Sequence, residues 1–338
     1  MHFGFTEEER LFADTFRELL QRECTPAVVR SAWENETGRG EGLWQSMVEL
    51  GIVGMSAPEE AGGLGMDAVP LVLLLEEAGR AALPEPLVET TGVALPLLAA
   101  CSSEGIKDRW MSAMVAGDAT AAVGMGPSPL VAGAHAAEVL ILEREGALYA
   151  VPTTEVRLSG QSSVDRSRRL SSVEWTPSES TLLARGEEAA RLRAEAFNRG
   201  ALGNAAMQVG LARAMIDLTV EYTLVREQFG KPIGSFQAIK HMLANALLKV
   251  EFARPVIYRA AHSVATQHAA VDLHASMAAI YGADAATSTA KICLQAHGAI
   301  GYSFVHVLHL WMKRSWSLKN AWGDTAWHRN RAADAVLH

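Results

Sequence analysis

Cysteine is scarce in this chain: Cys24, Cys101 and Cys293 lie far apart, show no CxxC or CxxH spacing, and cannot all pair with one another. A disulfide framework and a cysteine-built zinc site are therefore excluded, and a reducing cytoplasm is the expected compartment. No stretch reaches the roughly 20 uninterrupted apolar residues of a membrane span. The opening "MHFGFTEEER" puts acids where a secretory signal would carry a basic segment and an apolar run. Basic excess is missing too: 30 Lys plus Arg stand against 38 Asp plus Glu, a formal net charge of -8. That balance gives no broad electrostatic reason to bind nucleic acid or an anionic membrane, although a local basic patch around an anionic cofactor is still allowed. The last absence is local. From Ala285 to Gly323 there is no Asp or Glu at all, and this run contains "AHGAIGYSFVHVLHLWMKRSW" (296–316). A glycine turn followed by His306, His309 and aromatics leaves three readings open: a histidine site, a packed helix, or a site that has lost its acid.

What is present is an ordinary globular composition, 49% hydrophobic and 20% charged over 338 residues, long enough for two or three domains. From Thr6 to about Gly117 the pattern is helical. Thr6 and Glu9 have the form of a capping box, and Leu11, Phe12, Phe16, Leu19 and Leu20 follow at helical spacing. "SAPEEAGGLGMD" (56–67) reads as a glycine-rich loop and "LPEP" (83–86) as a break. Between Ala119 and Arg185 short β-type runs such as "AEVLILERE" and "ALYAVPT" alternate with turn residues, as in a small sheet domain. From Glu187 helices return. A long Ala-rich segment runs to about Phe229, "FGKPIGS" supplies a stop, and Ser235 is the expected N-cap of the next helix. That helix sets Ile239, Met242, Leu243, Ala246, Leu247 and Val250 on one apolar face. A third helix is expected from about His268 to His297. The expected fold is mainly α with a small β domain: a helical domain over 1–117, a reduced sheet domain over 118–185, and a helical bundle over 186–338.

"YTLVREQFGKPIGSFQAIKHMLAN" (222–245) closely resembles the C-terminal signature of the acyl-CoA dehydrogenase family, an Arg-x-x-Phe-Gly-Lys turn followed by a Phe-Gln-x-Ile-x-His-x-Leu-Ala helix. "PEEAGGLGMD" (58–67) and "QAHGAIGY" (295–302) resemble the family in the right order, so the likeness spans essentially the whole chain. It implies FAD as cofactor. Arg226, at a helix end beside the Gly230 turn, offers a planar cation suited to a diphosphate, with Gln228 able to donate or accept and Phe229 giving an apolar face. In the family, the residues matching Arg226, Gln228, Phe229, Gln295 and Gly298 bind the ADP half of a neighbouring subunit's FAD, so the resemblance also implies an oligomer. From the residues alone, Arg226 could instead pair with Glu227 or Glu221, and Gln295, Gly298 and Gly301 could simply end a helix at a glycine cap.

The chemistry of the family is removal of a proton from C2 of an acyl-CoA thioester while hydride leaves C3 for the flavin, which needs a positioned carboxylate. Most members place a Glu before a Gly-Thr step near the C-terminus, a position that falls on Trp322 in "AWGDTAWH"; a smaller group uses an earlier helix, at Gly200 here. Neither residue accepts a proton, so no catalytic residue is assigned. The family's Thr/Ser-rich strand and Trp-Ile-Thr-Asn-Gly hairpin, which hold the flavin ring, are also missing, while "SSVDRSRRLSSVEW" (162–175) still resembles its later strands. A good ADP half without a base implies the non-catalytic chain of a heterotetramer, with two copies each of this chain and a homologous catalytic acyl-CoA dehydrogenase subunit. Such heteromers are associated with actinobacterial steroid side-chain degradation, hence with bulky CoA esters. Two alternatives stay open. One is a self-sufficient homodimer with a relocated base, Asp324 or His306, although Asp324 also suits the N-cap of a last helix and His306 a packed one. The other is a flavin-free scaffold. His306 and His309 at i, i+3 raise a metal site, but no third ligand is apparent and none is assigned.

Overall fold

The structure, a computed structural model, describes residues 4–337. Its first helix, α1 (Glu7–Glu23), starts at the capping box: Glu9 N–H donates to Thr6 Oγ1 at 3.1 Å, and Thr6 N–H donates to the Glu9 carboxylate at 2.7 Å. Its apolar stripe buries Ala13, Phe16, Leu19 and Leu20. Five further helices follow: α2 (Pro26–Glu34), α3 (Leu43–Glu49), α4 (Ala68–Arg80), α5 (Leu95–Ala100) and α6 (Glu104–Val115). Between α4 and α5 the chain forms a wide π-type turn, Val88–Ala94, a rare geometry that recurs at functional sites.

The middle of the chain carries two small sheets. Strands β1 (Ala121–Gly124), β3 (Val139–Arg144), β4 (Ala147–Pro152) and β7 (Leu182–Ala184) form one in the order β1-β3-β4-β7, with β1 and β3 parallel and the other pairs antiparallel. Strands β2 (Val131–Ala132), β5 (Arg157–Gln161) and β6 (Leu170–Glu174) form the other, in the order β2-β6-β5. The first sheet is buried on both faces, so its strands read as continuous apolar runs.

The remainder is helical: α7 (Gly186–Val225), α8 (Gln237–Ala265), α9 (Val271–His297), α10 (Ala299–Tyr302), α11 (Leu308–Leu318) and α12 (Thr325–Leu337). The 40-residue α7 is the axis, packed by α4, α8, α9 and α11, and buried without interruption from Gly200 to Ala212. Small residues make this possible. A methyl at Gly210 would collide with the Glu76 carbonyl of α4, and one at Gly79 with the Met207 carbonyl of α7. Gly210→Ala is therefore expected to lose about 1–3 kcal/mol in urea denaturation, although alanine is the better helix former.

Two expected details differ. Ser235 does not cap α8: its hydroxyl donates back to Pro232 O at 2.7 Å, and Phe236 takes the cap position without a side-chain bond. The α8 face exists, but Ala246 and Val250 are its buried members while Ile239, Met242, Leu243 and Leu247 are partly covered. Among the described residues no helix is long and apolar enough to cross a membrane.

One buried ion pair fastens the parts together. The Arg314 guanidinium of α11 donates to Asp165 in the β5–β6 loop, to Ser167 Oγ at 2.6 Å and to Leu83 O at 2.5 Å. Arg314 is 5% and Asp165 0% exposed, so this clamp joins the helical bundle, the second sheet and the loop after α4 in the buried interior.

Candidate functional site

At one end of the bundle α7 stops at Val225, and the Arg226 N–H makes the closing bond to Tyr222 O at 2.9 Å. The chain then reverses through two short strands, β8 (Glu227–Gln228) and β9 (Lys231–Pro232), joined by Phe229 and Gly230, both left-handed at φ 53° and 76°. Left-handed values at both central positions are what a tight hairpin turn requires. Phe229 is 93% exposed, and Gln228 Nε2 donates to Glu227 O at 2.8 Å. Among the described residues, the Arg226 guanidinium has no ion-pair or hydrogen-bond partner, neither Glu221 nor Glu227 engaging it. The last turn of α9 packs on the last turn of α7, just before this hairpin, where the Tyr222 and His297 rings stack at 4.4 Å. Gln295 is exposed on that turn, and Gly298, at φ 64°, ends the helix with its N–H on Leu294 O at 3.0 Å. Arg226, Gln228, Phe229, Gln295 and Gly298 thus share one exposed end. Leu224, Val225, Tyr302 and Val305, all more than half exposed, surround it. A free guanidinium, two carboxamides and an exposed ring fit a diphosphate with a planar heterocycle. All five residues are exposed.

The two positions at which the sequence reading expects the family's base, Trp322 and Gly200, meet inside the molecule. Trp322 follows α11, is 8% exposed, and lays its indole directly over Gly200 of α7. Phe197, three positions earlier on α7, packs edge-on against the same indole with centroids 6.2 Å apart. Asn204, four positions later, donates to Leu318 O at 3.1 Å and Ala321 O at 3.3 Å, which fixes the turn leading into Trp322. Two cavities adjoin the indole. One, of about 80 Å³, is lined by Glu85, Glu89, Arg168, Asn204 and Arg314. The other, of about 280 Å³, is lined by Glu89, Arg168, Ser163, Trp316 and Asn320. Glu85 is held by Arg39, and burial raises its carboxyl above the usual range. Glu89, half-buried on the π-type turn, lines both cavities and favours the charged form of Arg168 against the burial that pushes that guanidinium down. Sequence reasoning missed Glu89, because the π-type turn has no sequence signature, and it read Arg168 only as part of a strand-like stretch.

The remaining candidates are structural. Asp324 Oδ1 accepts from Trp327 N–H at 2.8 Å, as an N-cap does. His306 is not on a helix, contrary to the sequence reading: it lies in the turn between α10 and α11, where its Nδ1 accepts from Leu308 N–H at 3.2 Å and its ring packs 4.5 Å from that of His297. His309 Nδ1–H donates to His306 O at 2.6 Å, so the two imidazoles are engaged separately. Among the described residues no group of three His, Cys, Asp or Glu side chains is placed to hold a metal ion.

His328 of α12 anchors the Trp322 turn. Its Nε2–H donates to Trp322 O at 2.9 Å, and its Nδ1 bonds Ser276 Oγ at 3.2 Å, accepting the hydroxyl proton while the imidazole is neutral. Burial pushes its pKa down to about 4. Protonation therefore favours the unfolded chain. The His328 contribution is complete above pH ~6.5 and is lost as pH falls from there towards the folded value, by about 1.4 kcal/mol per unit. Urea denaturation of His328→Gln should show a shallower acid dependence than the parent across that window. An unchanged slope would contradict the assignment.

Two family models match the chain: acyl-CoA dehydrogenase, N-terminal domain, over residues 6–118, and acyl-CoA dehydrogenase, C-terminal domain, over residues 190–337. Acyl-CoA dehydrogenase IpdE2 of Mycobacterium tuberculosis is 31% identical, covering 91% of this chain and 91% of its own length. Acyl-CoA dehydrogenase FadE34 of the same organism is 33% identical over 81% of this chain but only 39% of its own length. Among solved structures, the ChsE4-ChsE5 complex from M. tuberculosis has a chain that superimposes with a TM-score of 0.90 at 23% identity, covering 100% of this chain and 99% of that one. A chain of the Tcur3481-Tcur3483 steroid ACAD G363A variant superimposes with a TM-score of 0.85 at 22% identity, covering 98% of each chain. This chain belongs to the acyl-CoA dehydrogenase family, and it has that family's fold of N-terminal helices, middle sheets and C-terminal helical bundle.

Proposed function

We propose that this chain is the non-catalytic subunit of a heteromeric, FAD-dependent acyl-CoA dehydrogenase that introduces an α,β double bond into a CoA thioester. The observation that carries the reading is the meeting of the two base positions as glycine and tryptophan, in a cleft whose indole leaves no carboxylate where the family needs one. The exposed end complements this. Arg226 would hold the diphosphate, Gln228 and Gln295 would hydrogen-bond the nucleotide, Phe229 would offer its ring as an apolar face, and Gly298 would leave room at the backbone. The FAD supplies the hydride acceptor when bound. The catalytic partner supplies the carboxylate, the thioester pocket and the ring-binding strands. Segments 1–117, 118–185 and 186–338 act as three domains, the last forming the shared cofactor wall. The ChsE4-ChsE5 complex and the steroid ACAD among the structural relatives support a heteromer and a steroid-derived substrate, which we place in a heterotetramer acting on a bulky CoA ester. Colour tests the reading: the chain purified alone carries no flavin, and co-expression with its homologous partner yields a yellow complex. A yellow preparation of the chain alone would overturn it.

A second reading, a self-sufficient dehydrogenase, is favoured by Glu89, whose carboxylate lines both cavities next to Trp322. Under the first reading Glu89→Gln leaves turnover of the complex within about twofold. Under the second, loss of the general base removes a factor of about 100 or more.

A further inference from the structure

We propose that Trp322 is a resident occupant of this chain's own recess, seated on Gly200 and closing the cleft between helical bundle and sheets to any acyl group. The name of acyl recess rests on the reading above; the packing rests on geometry alone. Gly200 lies in the interior of α7, where glycine is the poorest helix former apart from proline, and its missing side chain is what makes room. A Cβ at that position would run into three ring atoms of the Trp322 indole. The tryptophan in turn adopts a backbone conformation that bulky residues avoid, φ 57°, followed by Gly323 at φ 94°. Such a conformation persists only where the surroundings over-determine it. Here they do so from three sides. His328 holds the Trp322 carbonyl, Asn204 holds the preceding turn, and Phe197 packs against the ring.

The cavities carry the same sense. The indole lines both the cavity of about 80 Å³ and that of about 280 Å³, standing as a wall common to the two. Taking it away would open one recess reaching from Leu83 and Asn204 on one side to Trp316 and Ser163 on the other. The chain therefore fills with its own side chain the space beside which the family places its carboxylate. The acyl group is directed to the partner subunit because this cleft is occupied, and not only because it lacks a base.

The test uses the full chain and indole as the probe. Trp322→Ala should lower the thermal midpoint by several degrees, and millimolar indole should recover part of that loss while leaving the parent unmoved. Gly200→Ala, with Trp322 in place, should also lower the midpoint, although alanine favours the helix; on the Trp322→Ala background the same substitution should raise it. A Trp322→Ala chain with an undiminished midpoint and no response to indole overturns the proposal, as does a Gly200→Ala chain more stable than the parent. If Trp322→Ala fails to fold, the Gly200→Ala measurement decides alone. Flavin counting separates this inference from the subunit reading. Indole rescue together with an FAD on every chain would keep the plug and remove the subunit role, and one FAD per unlike pair without the expected midpoint changes would do the reverse.

Discussion

Asp165→Ala should destabilise the chain by about 3–5 kcal/mol, the range for removing one partner of a buried ion pair. The Asp165 carboxylate accepts from the Arg314 guanidinium, from Ser167 N–H at 3.1 Å and from Ser167 Oγ–H at 2.7 Å. Alanine would leave a guanidinium that is 5% exposed without its directly bonded carboxylate, the neighbouring Glu85 being already paired with Arg39. Burial without a partner is far more expensive than the pair is favourable, so the sign is not in doubt. The double variant Asp165→Ala, Arg314→Met should recover a large part of the loss, since it removes the orphaned charge as well. Denaturant titration of the three proteins decides this; a single-variant loss below about 1 kcal/mol would mean that water reaches the clamp.

Arg226→Ala should weaken FAD retention by the heteromer about 10- to 100-fold, the equivalent of one charge-assisted hydrogen-bond pair. The side chain has no partner among the described residues, so its removal disturbs nothing within the chain, and the thermal midpoint of the isolated chain should stay put. Arg226→Lys should recover only part of the affinity, because an ammonium cannot reproduce the bidentate fork. FAD release is measured by fluorescence on dilution. Unchanged retention in Arg226→Ala would remove this residue from the cofactor wall.

These expectations show which parts of the molecule local sequence can specify. The order of helices, sheets and helices was legible because periodicity and turn residues are local signals, and Thr6 with Glu9 folds as the pattern predicts. The Asp324 cap was legible for the same reason. Ser235 misled because a serine before a helix can bond backwards as easily as forwards, and here the Ile233–Ser235 turn takes its hydroxyl. His306 misled because its apolar neighbours mimic a helix, whereas the left-handed Gly298 and the bend at Ser303 end one helix and delay the next. The α8 face is only partly covered over its first turns, and sequence does not distinguish a fully buried face from a partly covered one. Gly200 and Trp322 were each read as a position where the family carries its base. That one fills the space of the other depends on tertiary packing between α7 and the segment after α11, which neither residue announces.

The count of FAD in the purified complex tests the central claim most directly. Extracted flavin, measured by absorbance against protein quantified separately for the two chains, should give one FAD per unlike pair, with none retained by this chain alone. One FAD for every chain would contradict the account, because it would require this chain to hold a complete cofactor site of its own.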